Sequence, residues 1–186
     1  MRHDAIALAA AFALQGAAVA AVPAHETWIR AHGTPVTVAV EPVDPYDPLR
    51  GYALTFRYNG ADERLPGYDG GAADGAAAYV VLAAPHSPGE RWQPRRIQRD
   101  LPRGERALHV RYRRWCAAGL PSSRYRCTAL VVQPSAWYVD ERDRFALAAA
   151  LREGRAVAEL RVAPDGEASL MRLKAAPSAG TMGPRG

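Results

Sequence analysis

The chain's 186 residues suffice for one domain with a real core and hardly for two. Its formal net charge of +5 and pI near 9.6 rest on arginine, since Lys174 is the only lysine. Mechanisms built on a buried, pKa-lowered lysine thus have one residue to draw on, and two cysteines cannot make a cysteine-rich zinc framework.

Behind a short polar head (Met1-Arg2-His3-Asp4), residues 5–22 carry Gln15 as their one strongly polar side chain. No amphipathic stripe runs along this segment, so residues 1–24 are predicted to be an export signal or a single membrane anchor. The stretch is rich in alanine and sits at the short end of the roughly 20 residues that span a bilayer. Ala18-Val19-Ala20 and Val22-Pro23-Ala24 both offer small-residue cleavage patterns. Either outcome places the body, residues 26–174, outside the cytosol: periplasmic, or facing the periplasm from an inner-membrane transmembrane helix. Glu26 to Arg30 reads as a last helical turn.

Thr34 to Glu41 alternates, with Val36, Val38 and Val40 on one side, which predicts a half-buried strand. Pro42, Pro45 and Pro48 then stiffen a corner, because each fixes its own φ and pushes its predecessor towards extended geometry. After Gly51 a second strand begins, with Tyr52, Leu54, Phe56 and Tyr58 on one face and Ala53, Thr55, Arg57 and Asn59 on the other. The two strands are expected to pair antiparallel. Pro42-Val43-Asp44-Pro45, Leu49-Arg50-Gly51 and Tyr58 together resemble the GDYXXLXY family, bacterial membrane-associated proteins without an established activity. Phe56 stands at the motif's leucine, Tyr52 at its aspartate and Ala53 at its first tyrosine, so the motif is degenerate here. The resemblance extends at low similarity to Leu173. It implies a retained anchor and, since such proteins tend to be encoded beside polytopic membrane proteins, a membrane-protein partner. Asp44, Asp47, Arg50, Gly51 and Tyr58 are then candidates for a partner-binding turn. A plainer reading has the carboxylates bonding nearby backbone N–H groups, or pairing with Arg50, to hold the corner.

Residues 60–75 mix glycine with Asp62, Asp69 and Asp74, and predict a mobile loop, because the acids lack the ordered spacing of a calcium loop. Ala77 to Ala84 is a continuous apolar run fit for a buried strand, and a weaker strand follows from Trp92 to Gln98. Leu108 to Tyr112 and Tyr125 to Val131 predict a hairpin whose arms carry Cys116 and Cys127. In an oxidising compartment these two can close a disulfide; a pair of reduced core cysteines is the other reading. From Trp137 the period changes: a short strand, then a helix over Asp140 to Arg152 with Asp140 as cap, Asp143 in its first turn, Phe145, Leu147, Ala148 and Leu151 on a modest apolar side, and Gly154 as stop. Ala156 to Val162, a Pro164-Asp165-Gly166 turn and Ala168 to Leu173 predict a final hairpin, and residues 175–186 a disordered tail. The fold class is mainly β (α+β): antiparallel strands and hairpins, one helix near the C-terminus, and a hydrophobic N-terminal helix.

Candidate chemistry is thin. No nucleophile-elbow motif surrounds the serines, and the histidines have no metal-ligand spacing, so neither a catalytic residue, a metal ligand nor a cofactor is predicted. The leading expectation is a non-enzymatic envelope domain acting with a membrane protein, and an envelope hydrolase with a non-obvious site is the alternative from another class. Arg95, Arg96, Arg99, Arg111 and Arg113 crowd one third of the chain. An exported protein rarely meets nucleic acid, so these are candidates for binding anionic lipid or polymer, or else solvated strand faces.

Overall fold

The computed structural model describes residues 2–43, 53–87, 90–114, 128–140 and 142–176. Its elements run α1 (Arg2–His32), β1 (Thr34–Pro42), β2 (Ala53–Tyr58), β3 (Ala77–Ala83), β4 (Gln93–Gln98) and β5 (Arg106–Arg114). Then come β6 (Thr128–Val132), β7 (Ala136–Tyr138), α2 (Arg144–Arg152), β8 (Ala156–Val162) and β9 (Ala168–Ala175). One antiparallel sheet has the order β7-β2-β1-β8-β9 and the other β4-β3-β5-β6. The mainly antiparallel class with a helix at the N-terminus and one near the C-terminus is as predicted.

Period-2 alternation explains most of the strands. Val36, Val38 and Val40 of β1 are buried, as are Phe56 and Tyr58 of β2, while Thr55 and Arg57 on the opposite face are exposed. The expected β1–β2 pair is present, with Val40 opposite Tyr58 and Pro42 opposite Phe56. Along its first half β1 instead pairs with β8, from Thr34 opposite Val162 to Ala39 opposite Val157. Local pattern carries no signal for that long-range partnership.

The two sheets face each other over one apolar cluster, with Ala78, Val80, Leu82, Leu108, Val110 and Tyr112 from one side and Val36, Val38, Phe56 and Leu160 from the other. Backbone bonds stitch them at two places: Trp92 N–H donates to the Thr37 carbonyl, and His109 N–H to Gly166 at the β8–β9 turn. α2 lays Leu147, Ala150 and Leu151, spaced for one helical face, onto the core.

Four expectations need correction. Asp140 does not cap α2: its carboxylate accepts from Arg142 N–H in the preceding turn, and Asp143 holds the N-cap position without a side-chain bond. Phe145, expected on the apolar side, is exposed. The loop after β2 is a packed series of turns, with Ala72 buried and the Pro66 carbonyl accepting from Ile97 N–H. Finally, β9 continues to Ala175, and the next N–H, that of Ala176, donates to the Arg155 carbonyl, so ordered structure passes the expected start of the tail.

α1 is one helix through Pro23 to His32, crossing the expected boundary between leader and body. Among the described residues, no helix is long and apolar enough to cross a membrane. The predicted membrane-crossing helix is therefore not found there. Alanine contributes little apolar surface, and from Pro23 onwards α1 turns polar. Its last turns dock on the β8–β9 hairpin: Ile29 is buried, and the Gly33 carbonyl just beyond accepts from Arg161.

Candidate functional site

Alternation on β5 sends Leu108, Val110 and Tyr112 inward, which leaves His109, Arg111 and Arg113 on the outer face. Across the ladder His109 stands opposite Tyr79, and Tyr79 opposite Gln98, so these three form a row over β4, β3 and β5. The Tyr79 and His109 rings are tilted with centroids 5.5 Å apart. Above His109 the β8–β9 turn delivers Glu167, whose carboxylate lies 3.2 Å from His109 Nδ1. Gly166 is required in that turn. Its φ is +88°, and a Cβ there would stand 3.1 Å from His109 N and 3.2 Å from the Ala107 carbonyl. The turn and β5 frame a cavity of ≈ 140 Å³ lined by His109, Val110, Arg111, Arg113, Gln133, Glu167 and Ala168.

The five predicted arginines separate into two groups. Arg95 and Arg96 both engage Glu105, Arg96 through both terminal nitrogens. The hydrogen bond from Arg96 holds the Glu105 carboxyl below its ordinary range. Arg99 lies 3.6 Å from Asp69. These three brace the edge of the four-stranded sheet. Arg111 and Arg113 lie elsewhere, on the outer face of β5: Arg111 donates to the Gly75 carbonyl at 3.4 Å, and Arg113 stands 3.8 Å from Asp74, the separation Arg95 keeps from Glu105.

Of the predicted partner-binding turn, Asp44, Asp47, Arg50 and Gly51 lie outside the described residues, as do Cys116 and Cys127. Tyr58 is inside the core. Its hydroxyl donates to the Pro134 carbonyl at 2.8 Å, and burial raises its pKa. A partner could not reach it, so its place is structural.

Sequence reasoning missed a second polar cluster. Ser169 is the buried polar side chain of the described core. Its hydroxyl hydrogen-bonds the Glu26 carboxylate at 2.5 Å and accepts from Arg30 Nε at 3.1 Å, while Glu26 and Arg30 pair at 3.0 Å. No sequence spacing links position 26 with position 169, so no local signal could have found it. The outer row on β5 is different: simple alternation puts His109, Arg111 and Arg113 on one face.

Among the described residues, the histidine of this row and the buried serine lie in separate clusters. His109 meets Glu167 and Tyr79, while Ser169 is occupied by α1. Among the described residues, no group of three or more histidine, cysteine, aspartate or glutamate side chains could hold a metal ion.

A family model described as GDYXXLXY protein matches residues 15–173. The chain belongs to the GDYXXLXY family. No curated protein and no solved structure matches it. The GDYXXLXY match runs from the middle of α1 to the end of the β8–β9 hairpin, so it includes both the α1 docking cluster and the arginine-bearing sheet.

Proposed function

We propose that this GDYXXLXY protein is a non-enzymatic, extracytoplasmic accessory domain of the bacterial cell envelope, acting with a membrane-protein partner and without a cofactor. One observation carries the reading. Ile6, Leu8, Phe12, Leu14, Val19 and Val22 of α1 are 60–74 % exposed, while most large apolar side chains of the body are buried in one cluster, Tyr138 and Phe145 being its most exposed exceptions. A helix apolar around its circumference needs cover that the other described residues do not supply. The docked end of α1 would hold the body at a set angle to whatever covers the remainder. A polytopic membrane protein is the partner that the family resemblance implies.

The test is a photo-crosslinker placed at Phe12 or Val19 of a tagged full-length copy, activated in cells before membranes are isolated. Reproducible capture of one integral membrane protein is the expected result. Recovery of the whole polypeptide from the cytosolic fraction, with its leader intact and nothing crosslinked, would overturn the reading.

A further inference from the structure

We infer that the cavity beneath the β8–β9 turn is a binding site for a single phosphate group, inorganic or a monoester, held by Arg111, Arg113, His109 and Gln133. The inference does not depend on the envelope location or on the partner proposed above.

Three observations carry it. The first is donor placement. His109, Arg111 and Arg113 are spaced i, i+2, i+4 on the outer face of β5, so successive side chains stand about 6.8 Å apart along the strand. With Gln133 they line one wall of the cavity. Guanidinium groups so placed can each offer two N–H donors to a tetrahedral oxyanion.

The second is the state of those donors. Among the described residues Arg111 is bonded to a neutral carbonyl at 3.4 Å, and Arg113 stands 3.8 Å from Asp74. An exposed pair at that separation contributes little, so exchanging it for a charge-assisted phosphate contact is favourable. Glu167 is the carboxylate lining the cavity, and His109 engages it at 3.2 Å, so Glu167 is already partnered on the side the arginines share.

The third is size. A cavity of ≈ 140 Å³ is of a size to seat one phosphate group with its water.

The test titrates the full-length protein with inorganic phosphate, followed by calorimetry and by the imidazole signals of His109. R111Q/R113Q is compared with R95Q/R99Q, which removes the same charge elsewhere on the sheet, and with Q133L. Phosphate is expected to move the His109 signals. R111Q/R113Q should weaken binding about tenfold or more, Q133L should weaken it less, and R95Q/R99Q should leave it unchanged. Vesicles separate the two sources of the phosphate. A headgroup ligand predicts that phosphatidic acid, a monoester, is bound in preference to phosphatidylglycerol, and that R111Q/R113Q loses the preference. A free-phosphate ligand predicts phosphate binding with no such preference. The inference fails if phosphate leaves His109 unmoved, if both double variants weaken binding equally, or if a phosphatidic-acid preference survives in R111Q/R113Q.

Discussion

Tyr58 closes the β2 strand on a phenol that donates to the Pro134 carbonyl inside the core. Burial favours the neutral form, so as pH rises the unfolded chain loses that proton before the folded one does. The stabilisation is complete below the ordinary phenol value of about 10 and is lost as pH climbs towards the raised folded-state value. Tyr58→Phe should cost about 1–2 kcal/mol at neutral pH, because the carbonyl loses its donor. It should also flatten the alkaline decline in stability. Urea midpoints across the alkaline range check both; an equally steep decline in the variant would assign it to another group. Gly67 makes a sharper case. Its φ is +85° and a Cβ would lie 2.1 Å from the Ile97 carbonyl oxygen, whereas Gly104, at φ +76°, has nothing within 4 Å. Gly67→Ala should therefore cost about 3 kcal/mol or more, and Gly104→Ala about 1 kcal/mol. Equal urea midpoints for the two variants would show that the approach to Ile97 is relaxed in solution.

Strands were legible in this chain, because alternation survives wherever one face is buried and the other wet. The β8–β9 hairpin followed from Pro164-Asp165-Gly166, and β1 and β2 from their valine and aromatic faces. What escaped was non-local. The β1–β8 ladder joins positions far apart in sequence, and Asp140 and Asp143 look equally fit to cap α2 until the turn before it is known. The 60–75 loop read as mobile because glycine and aspartate favour turns, and sequence does not say whether consecutive turns pack. α1 runs on past the expected leader through the helical turn read at Glu26 to Arg30, and sequence alone does not show what that turn docks on. Its docking yields an element-scale prediction. Ser169→Ala removes two bonds to α1 but leaves Glu26 and Arg30 paired, a loss of about 1–2 kcal/mol confined to the docked turns. Amide exchange should quicken over residues 26–32 with β3 and β5 unchanged. Acceleration throughout both sheets would instead make α1 an integral part of the core.

At the scale of the whole molecule, the candidate site was half legible: composition revealed the excess of arginine, but only the register places Arg111 and Arg113 beside the cavity and Arg95 and Arg96 on the edge strand. Arg96 spends its charge on Glu105 at the edge, while Arg111 faces a cavity with a neutral carbonyl as its described partner. The reading of an exported body adds a demand on chemistry beyond that face. An oxidising compartment would leave Cys116 and Cys127 bonded, since no other cysteine competes for either. A bridge closing so short a loop contributes about 2–3 kcal/mol, chiefly by restricting the unfolded chain. Protein purified from the envelope without reductant should therefore take up no thiol reagent when denatured, and two equivalents after reduction. Its urea midpoint should fall on reduction by an amount matching that energy, and Cys116→Ser/Cys127→Ser should show the lower midpoint without responding to reductant. Two reactive thiols in unreduced, denatured protein would mean that the chain matures in a reducing space, and the envelope assignment would fall with the bridge.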